Sequence, residues 1–167
     1  MSGRGAGLGK AALVALVAIA VDQLTKAIVR GQLVPGERIE AIAGIEIVRV
    51  HNSGIAFGLL DDAGSIVLVI AALAFAALLG MFLLSAERPG LWLPVGLLAG
   101  GALGNLIDRI REGFVTDFID PPRWPAFNVA DIEITLGVIL LVVIYAFGPE
   151  PAAEQTPAVS AQAPDDG

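Results

Sequence analysis

Residues 65–85 run for twenty-one positions without one charged side chain. That length and character match the ~20 residues an α-helix needs to cross a hydrocarbon core. Such a stretch has few stable homes in water, so it constrains the fold more than any other part of the chain. Three further apolar stretches of near-spanning length lie at residues 11–29, 91–107 and 132–147. The chain is 56% hydrophobic over 167 residues, against about 45–50% for a soluble domain. Four such stretches read as an all-α membrane protein, a bundle of four transmembrane helices whose backbone groups are satisfied internally. The length suits one unit at residues 1–148. An acidic tail rich in alanine and proline, residues 149–167, reads as disordered.

The first stretch also has the look of a cleavable signal peptide: Arg4 and Lys10, an apolar run, then Ala18-Ile19-Ala20. The helical pattern continues to Val29, and three more stretches follow, which favours a permanent span. Residues 38–42 and 45–50 alternate apolar and polar side chains around Ala43-Gly44, the pattern of a short hairpin outside the bilayer. Residues 111–128 contain Pro121, Pro122 and Pro125 and read as a loop. In residues 91–107, Gly100 and Gly104 form a pair that lets a neighbouring helix come close.

Charge narrows the function classes. The formal net charge is −7, but Glu150, Glu154, Asp165 and Asp166 all lie in the tail. No basic cluster suggests nucleic acid. With no cysteine, disulfides and thiol catalysis are excluded, and the single His51 cannot build a His-rich metal site. Four spans would put both termini on one side and both long loops on the other. The long-loop side carries most of the Lys and Arg, which by count alone would make it cytoplasmic. Several of those cations stand beside acids, Asp22 with Lys26 and Asp108 with Arg109, as if serving a site. Charge therefore leaves the orientation open.

The acids near the membrane edge carry the chemistry. A carboxylate inside a span costs roughly 3 kcal/mol on insertion scales, so such groups default to a functional reading. Asp117 and Asp131 flank the proline-rich loop, fourteen residues apart. Two carboxylates ~4 Å apart repel by about 4 kcal/mol at an effective dielectric of about 20, so near neutral pH one would hold a proton. Such a pair can deprotonate water and protonate a carbonyl in one step. The structural alternatives are that Asp131 caps a helix and that Asp117 is a solvated loop acid. Asp22 and Lys26, four apart, share a helix face as an ion pair or a substrate contact. Gly101, Gly104, Asn105 and Asp108 share another face, small and then polar, that suits a wet cavity or a neighbouring helix. Asn52 and Gly54 stand in a turn before the second stretch.

Five blocks occur in order: Asp22-Gln23-Leu24-Thr25-Lys26, Asn52-Ser53-Gly54-Ile55-Ala56-Phe57, Gly104-Asn105-Leu106-Ile107-Asp108-Arg109, Val115-Thr116-Asp117-Phe118 and Phe127-Asn128-Val129-Ala130-Asp131. Together they resemble the lipoprotein signal peptidases, or signal peptidase II, over about residues 11–147. Thr25 stands where many members carry serine, and Ile55 where alanine is frequent. The resemblance implies a bacterial inner-membrane aspartic endopeptidase with four spans, cytoplasmic termini and an extracytoplasmic β-cradle supplied by residues 31–64. It would remove signal peptides from prolipoproteins, cleaving before a diacylglyceryl-modified cysteine. It would need no metal or other cofactor, work as a monomer among membrane lipids, and be blocked by globomycin. Matching positions make Asp117 and Asp131 catalytic and give Asn52, Arg109, Asn105 and Asn128 to substrate binding. Asp22, Lys26, Asp108, Gly54 and Gly104 would support the site. Two other readings compete. One is a membrane transferase holding Mg²⁺ on Asp108, Asp117, Asp120 and Asp131. The other is an ion or proton transporter with Asp22, Lys26 and Asp108 as its relay.

Overall fold

A computed structural model describes residues 3–53, 80 and 89–148. The expected span at 65–85, Gly54 and the tail at 149–167 lie outside the described residues. In chain order the elements are α1 (Gly3–Gln32), β1 (Arg38–Ile42), β2 (Ile45–Asn52), α2 (Trp92–Glu112), β3 (Val115–Asp120) and α3 (Val129–Phe147). Among the described residues the protein is thus mostly helical, with one small sheet. The three helices take up the expected stretches at 11–29, 91–107 and 132–147: α1 runs past both ends, α2 starts at Trp92 and runs on to Glu112, and α3 starts three residues early and ends at Phe147.

Residues Gly5–Gln32 and Val129–Phe147 form helices long and apolar enough to cross a membrane. Their apolar side chains point outward. Leu13 and Leu16 on α1 and Val142 on α3 are each more than half exposed. A helix buried in a soluble core would hide those side chains; these bare faces suit lipid. The inner stripe of α1 is Ala11, Ala18, Asp22, Lys26 and Val29, continued just past the helix end by Leu33, spaced by a three, fours and a seven, so it lies on one face. Small residues come first and charges follow.

Glycines set how closely the helices approach. A Cβ on Gly96 would stand 2.6 Å from that of Val14, and one on Gly104 2.5 Å from Oδ2 of Asp22. Between them, Gly100 backs onto Ala15 and Ala18. This four-residue stripe seats α2 against α1, as the Gly100/Gly104 pair predicts. Gly101, on a neighbouring face, meets the Ala130 carbonyl and so brings in α3.

The strands form one antiparallel sheet in the order β1-β2-β3. Ala43 and Gly44 link β1 to β2 with φ of 53° and 77°, the two positive values of the tight turn that matches strand twist. The hairpin is therefore where the alternation put it. The third strand corrects the reading of residues 111–128 as a loop: Val115–Asp120 pairs with β2, with Asp117 opposite Val50. The pairing shifts between Ile47 and Val50, so β2 carries one extra residue there, a bulge. Phe118 packs with Val29 and Leu33 at the end of α1. Ile119 of β3 bridges to Phe127 and closes the proline-rich segment between them. Arg49 donates to the carbonyls of Arg30 and Leu33, fastening β2 to the last turn of α1.

Candidate active site

The C-terminal ends of α1 and α2, the N-terminus of α3 and strand β3 meet at one end of the helices. Asp117 is buried in β3, which corrects the alternative of a solvated loop acid. Asn52 Nδ2 donates to its Oδ2 at 2.8 Å, and Asn128 Nδ2 to its Oδ1 at 2.6 Å. Burial pushes Asp117 up to about 6; the bonds from Asn52 and Asn128 work against that shift, and the charge of Asp131 adds to it. The group is thus poised to exchange a proton near neutrality.

Asp131 sits in the first turn of α3, and the capping alternative is realised there. Asn128 is the N-cap: its side chain accepts from the Asp131 N–H at 3.1 Å, while Asp131 Oδ2 accepts from the Asn128 N–H at 3.1 Å. This reciprocal pair satisfies two otherwise orphan donors. The other oxygen of Asp131 takes Asn105 Nδ2 at 3.0 Å. Capping uses one oxygen and fixes the carboxylate; the other oxygen still turns towards Asn105. Asn128 therefore touches both aspartates and links β3 to α3.

Behind them lies a charged network. Lys26, with no exposed surface, reaches Asp22 at 2.9 Å, Asn105 at 2.8 Å and Asp108 at 3.3 Å. Asp22 Oδ1 also accepts from the Ala130 N–H at 3.1 Å, tying α1 to α3. Asp108 accepts from the Thr116 N–H at 3.1 Å, tying α2 to β3. A buried acid or cation is tolerated only when paired and hydrogen-bonded, and each of these is.

Two participants, Gln23 and Arg30, were not singled out from the sequence. Gln23 Nε2 contacts Asp22, the Gly104 carbonyl and Asp108. Arg30 bonds Asp108 at 3.3 Å and Thr116 Oγ1 at 3.2 Å. Asp22, Lys26 and Arg30 stand four apart in sequence, so the stripe that holds Arg30 was visible as periodicity. Asp108 pairs with Lys26 and Arg30, not with its neighbour Arg109 as the sequence suggests. Arg109 makes one long bond, 3.5 Å, to the Asn105 carbonyl of its own helix. It has no acidic partner among the described residues. Asp120, the remaining acid of the transferase reading, is held by Arg38 at 2.6 Å out on the sheet. Among the described residues, no three acids or histidines gather as metal ligands.

Apolar helices with bare outer faces, and polar groups collected at one end of them, define a class: an enzyme set in a membrane. The comparisons with known proteins say which one. The model of the signal peptidase (SPase) II family matches residues 14–147. The lipoprotein signal peptidase of Moorella thermoacetica is 43% identical over 131 residues, 77% of this chain and 87% of that protein. That of Dehalococcoides mccartyi (strain 195) is 38% identical over 133 residues, 76% of this chain and 82% of that protein. A bacterial membrane enzyme solved by the in meso method at 1.9 Å resolution superposes with a TM-score of 0.78 and 32% identity. It covers 85% of this chain and 96% of its own. A second, solved at 2.3 Å, gives 0.74 and 33%, covering 83% and 88%. The chain belongs to the signal peptidase II family. It is a protease that removes signal peptides from prolipoproteins.

Proposed function

We propose that Asp117 and Asp131 are the catalytic dyad of an intramembrane aspartic endopeptidase that cuts before a diacylglyceryl-modified cysteine. The observation that carries this is the double grip of Asn128, which donates to Asp117 at 2.6 Å and to Asp131 at 3.1 Å. Of the pair, Asp117 is the more deeply buried, and burial favours its neutral form. Asp131, at the positive end of a helix, takes two N–H donors. In this reading Asp131 removes a proton from water as its oxygen attacks the scissile carbonyl, and Asp117 gives its proton to the carbonyl oxygen. The tetrahedral intermediate then collapses. The C–N bond breaks, and a proton passes to the departing amine of the cysteine. The products are a signal peptide ending in a carboxylate and a lipidated chain with a free amine.

Asn52, exposed at the end of β2, and Arg109, with no acidic partner among the described residues, are suited to hold the substrate backbone. A lipidated cysteine stays at the bilayer boundary because each buried methylene is worth about 0.8 kcal/mol, so the bond before it is presented at that depth. The same reading makes the sheet part of an extracytoplasmic cradle, with residues 65–85 as a further span in a bacterial inner membrane. Both termini are then cytoplasmic, the enzyme is a monomer, and globomycin blocks it. The test is incubation of the purified protein with a diacylglyceryl-modified prolipoprotein, with and without globomycin. Wild type cleaves, and Asp117→Asn and Asp131→Asn each abolish cleavage while still inserting. Near-normal processing by either variant defeats the dyad.

A further inference from the structure

We infer that Lys26 is a positioning residue for Asp131, acting through the Asn105 carboxamide; the inference rests on the dyad proposed above. An asparagine side chain has two ends of nearly equal size, one an acceptor and one a donor. Shape alone does not decide which end faces Asp131. Lys26 decides it. Its ammonium offers three hydrogens and no lone pair. It donates to Asp22 Oδ2 at 2.9 Å and to Asn105 Oδ1 at 2.8 Å, and stands 3.3 Å from Asp108 Oδ2 as an ion pair. The oxygen of Asn105 must face that ammonium, so its Nδ2 must face Asp131 Oδ1, 3.0 Å away.

Turned round, Asn105 would set hydrogens against an ammonium and an oxygen against a carboxylate. It would also lose Asn128 Nδ2, which donates to Asn105 Oδ1 at 3.2 Å as well as to Asp117. The buried ammonium, with Asn128 Nδ2 on the same oxygen, thus fixes the polarity of a chain of amides that touches both aspartates. Networks of this kind act as a unit. The competing role for Lys26 is plain neutralisation of Asp22 and Asp108. That role makes Lys26 matter for stability, with no special dependence on Asn105.

The two roles separate in a double-mutant cycle on the full chain, using Lys26→Met, Asn105→Ala and both together. Steady-state cleavage of a diacylglyceryl-modified prolipoprotein is followed across pH. The lock predicts that Lys26→Met lowers kcat about 100-fold with KM little changed, the scale of a misoriented catalytic group. The pH profile of kcat changes as well, because Asn105 Nδ2 is no longer held fast against Asp131. In the Asn105→Ala background the Lys26 substitution changes kcat by less than about twofold. Losses that multiply, or residual activity that keeps the wild-type pH profile, overturn the inference. If Lys26→Met does not fold, the cycle is run on Asp22→Asn/Lys26→Met. That pair removes one charge of each sign and leaves Asp108 beside Arg30. Activity that survives Asp131→Asn would sink the dyad itself; additive losses with the dyad intact would sink only the role of Lys26.

Discussion

Replacing Asp117 by asparagine removes a charge that its surroundings resist. Burial raises this carboxyl from its ordinary 3.8 to about 6. A shift of roughly 2 units is worth about 3 kcal/mol. Between those two values the native protein holds a proton that the unfolded chain releases. Stability is therefore full below pH ~4 and falls as pH rises through ~6. Asparagine has nothing to titrate and escapes this loss. It has one oxygen where the carboxylate offers two, and both Asn52 and Asn128 donate there. Leaving one donor unmet costs about 1–3 kcal/mol, near the low end because exposed Asn52 can turn to water. The net at neutral pH is a gain of ~1–2 kcal/mol, or roughly 4 °C in Tm for a chain of this size. At pH ~4 the gain is gone. Thermal unfolding in detergent at both pH values measures it, and a cleavage assay beside it should show no activity. A Tm difference that does not change with pH would refute the argument that buried charge at Asp117 destabilises the fold.

Asp131→Asn should be inactive and lower Tm, because one asparagine oxygen can accept from the Asn128 N–H but its amide then faces Asn105 Nδ2, a buried donor left unmet at about 1–3 kcal/mol. Gly104→Ala should lower Tm and activity together: its Cβ would meet Asp22 Oδ2 at 2.5 Å, and overpacking costs about 1–3 kcal/mol. Asn128→Ala removes the N-cap of α3, worth about 1 kcal/mol, and one donor to Asp117; unfolding scans should show the loss and the cleavage rate should fall with it. Arg38→Ala should leave Tm and activity unchanged in the same two assays, since its bridges to Glu46 and Asp120 lie in solvent, where they are screened.

What the sequence made legible followed periodicity. The helices, the hairpin around Ala43-Gly44 and the close approach at Gly104 each leave a local pattern. β3 left none. Val115, Thr116, Asp117 and Phe118 are all buried, so no alternation marks the strand, and three prolines nearby argued for a loop. The two aspartates, Asn105 and Asn128 were legible as residues because the motif blocks name them. Their polarity was not, because it depends on which ends of two amides face a lysine and a backbone N–H on other elements. Arg109 shows the same limit from the other side. Adjacency to Asp108 suggests a pair, but one step along a helix turns the side chain by about 100°, and Asp108 faces Lys26 and Arg30 instead.

The bulge in β2 has a consequence for how this enzyme can fail. Sliding β3 by two residues would keep every side chain on its own face yet bring Val115 or Ile119 opposite Val50 in place of Asp117. The surplus residue between Ile47 and Val50, where Val48 is wholly enclosed, acts as a key that admits one alignment. A deletion that removes it would unlock that choice. The product would be a protein that folds, inserts and stays silent, with an aliphatic side chain where the acid belongs.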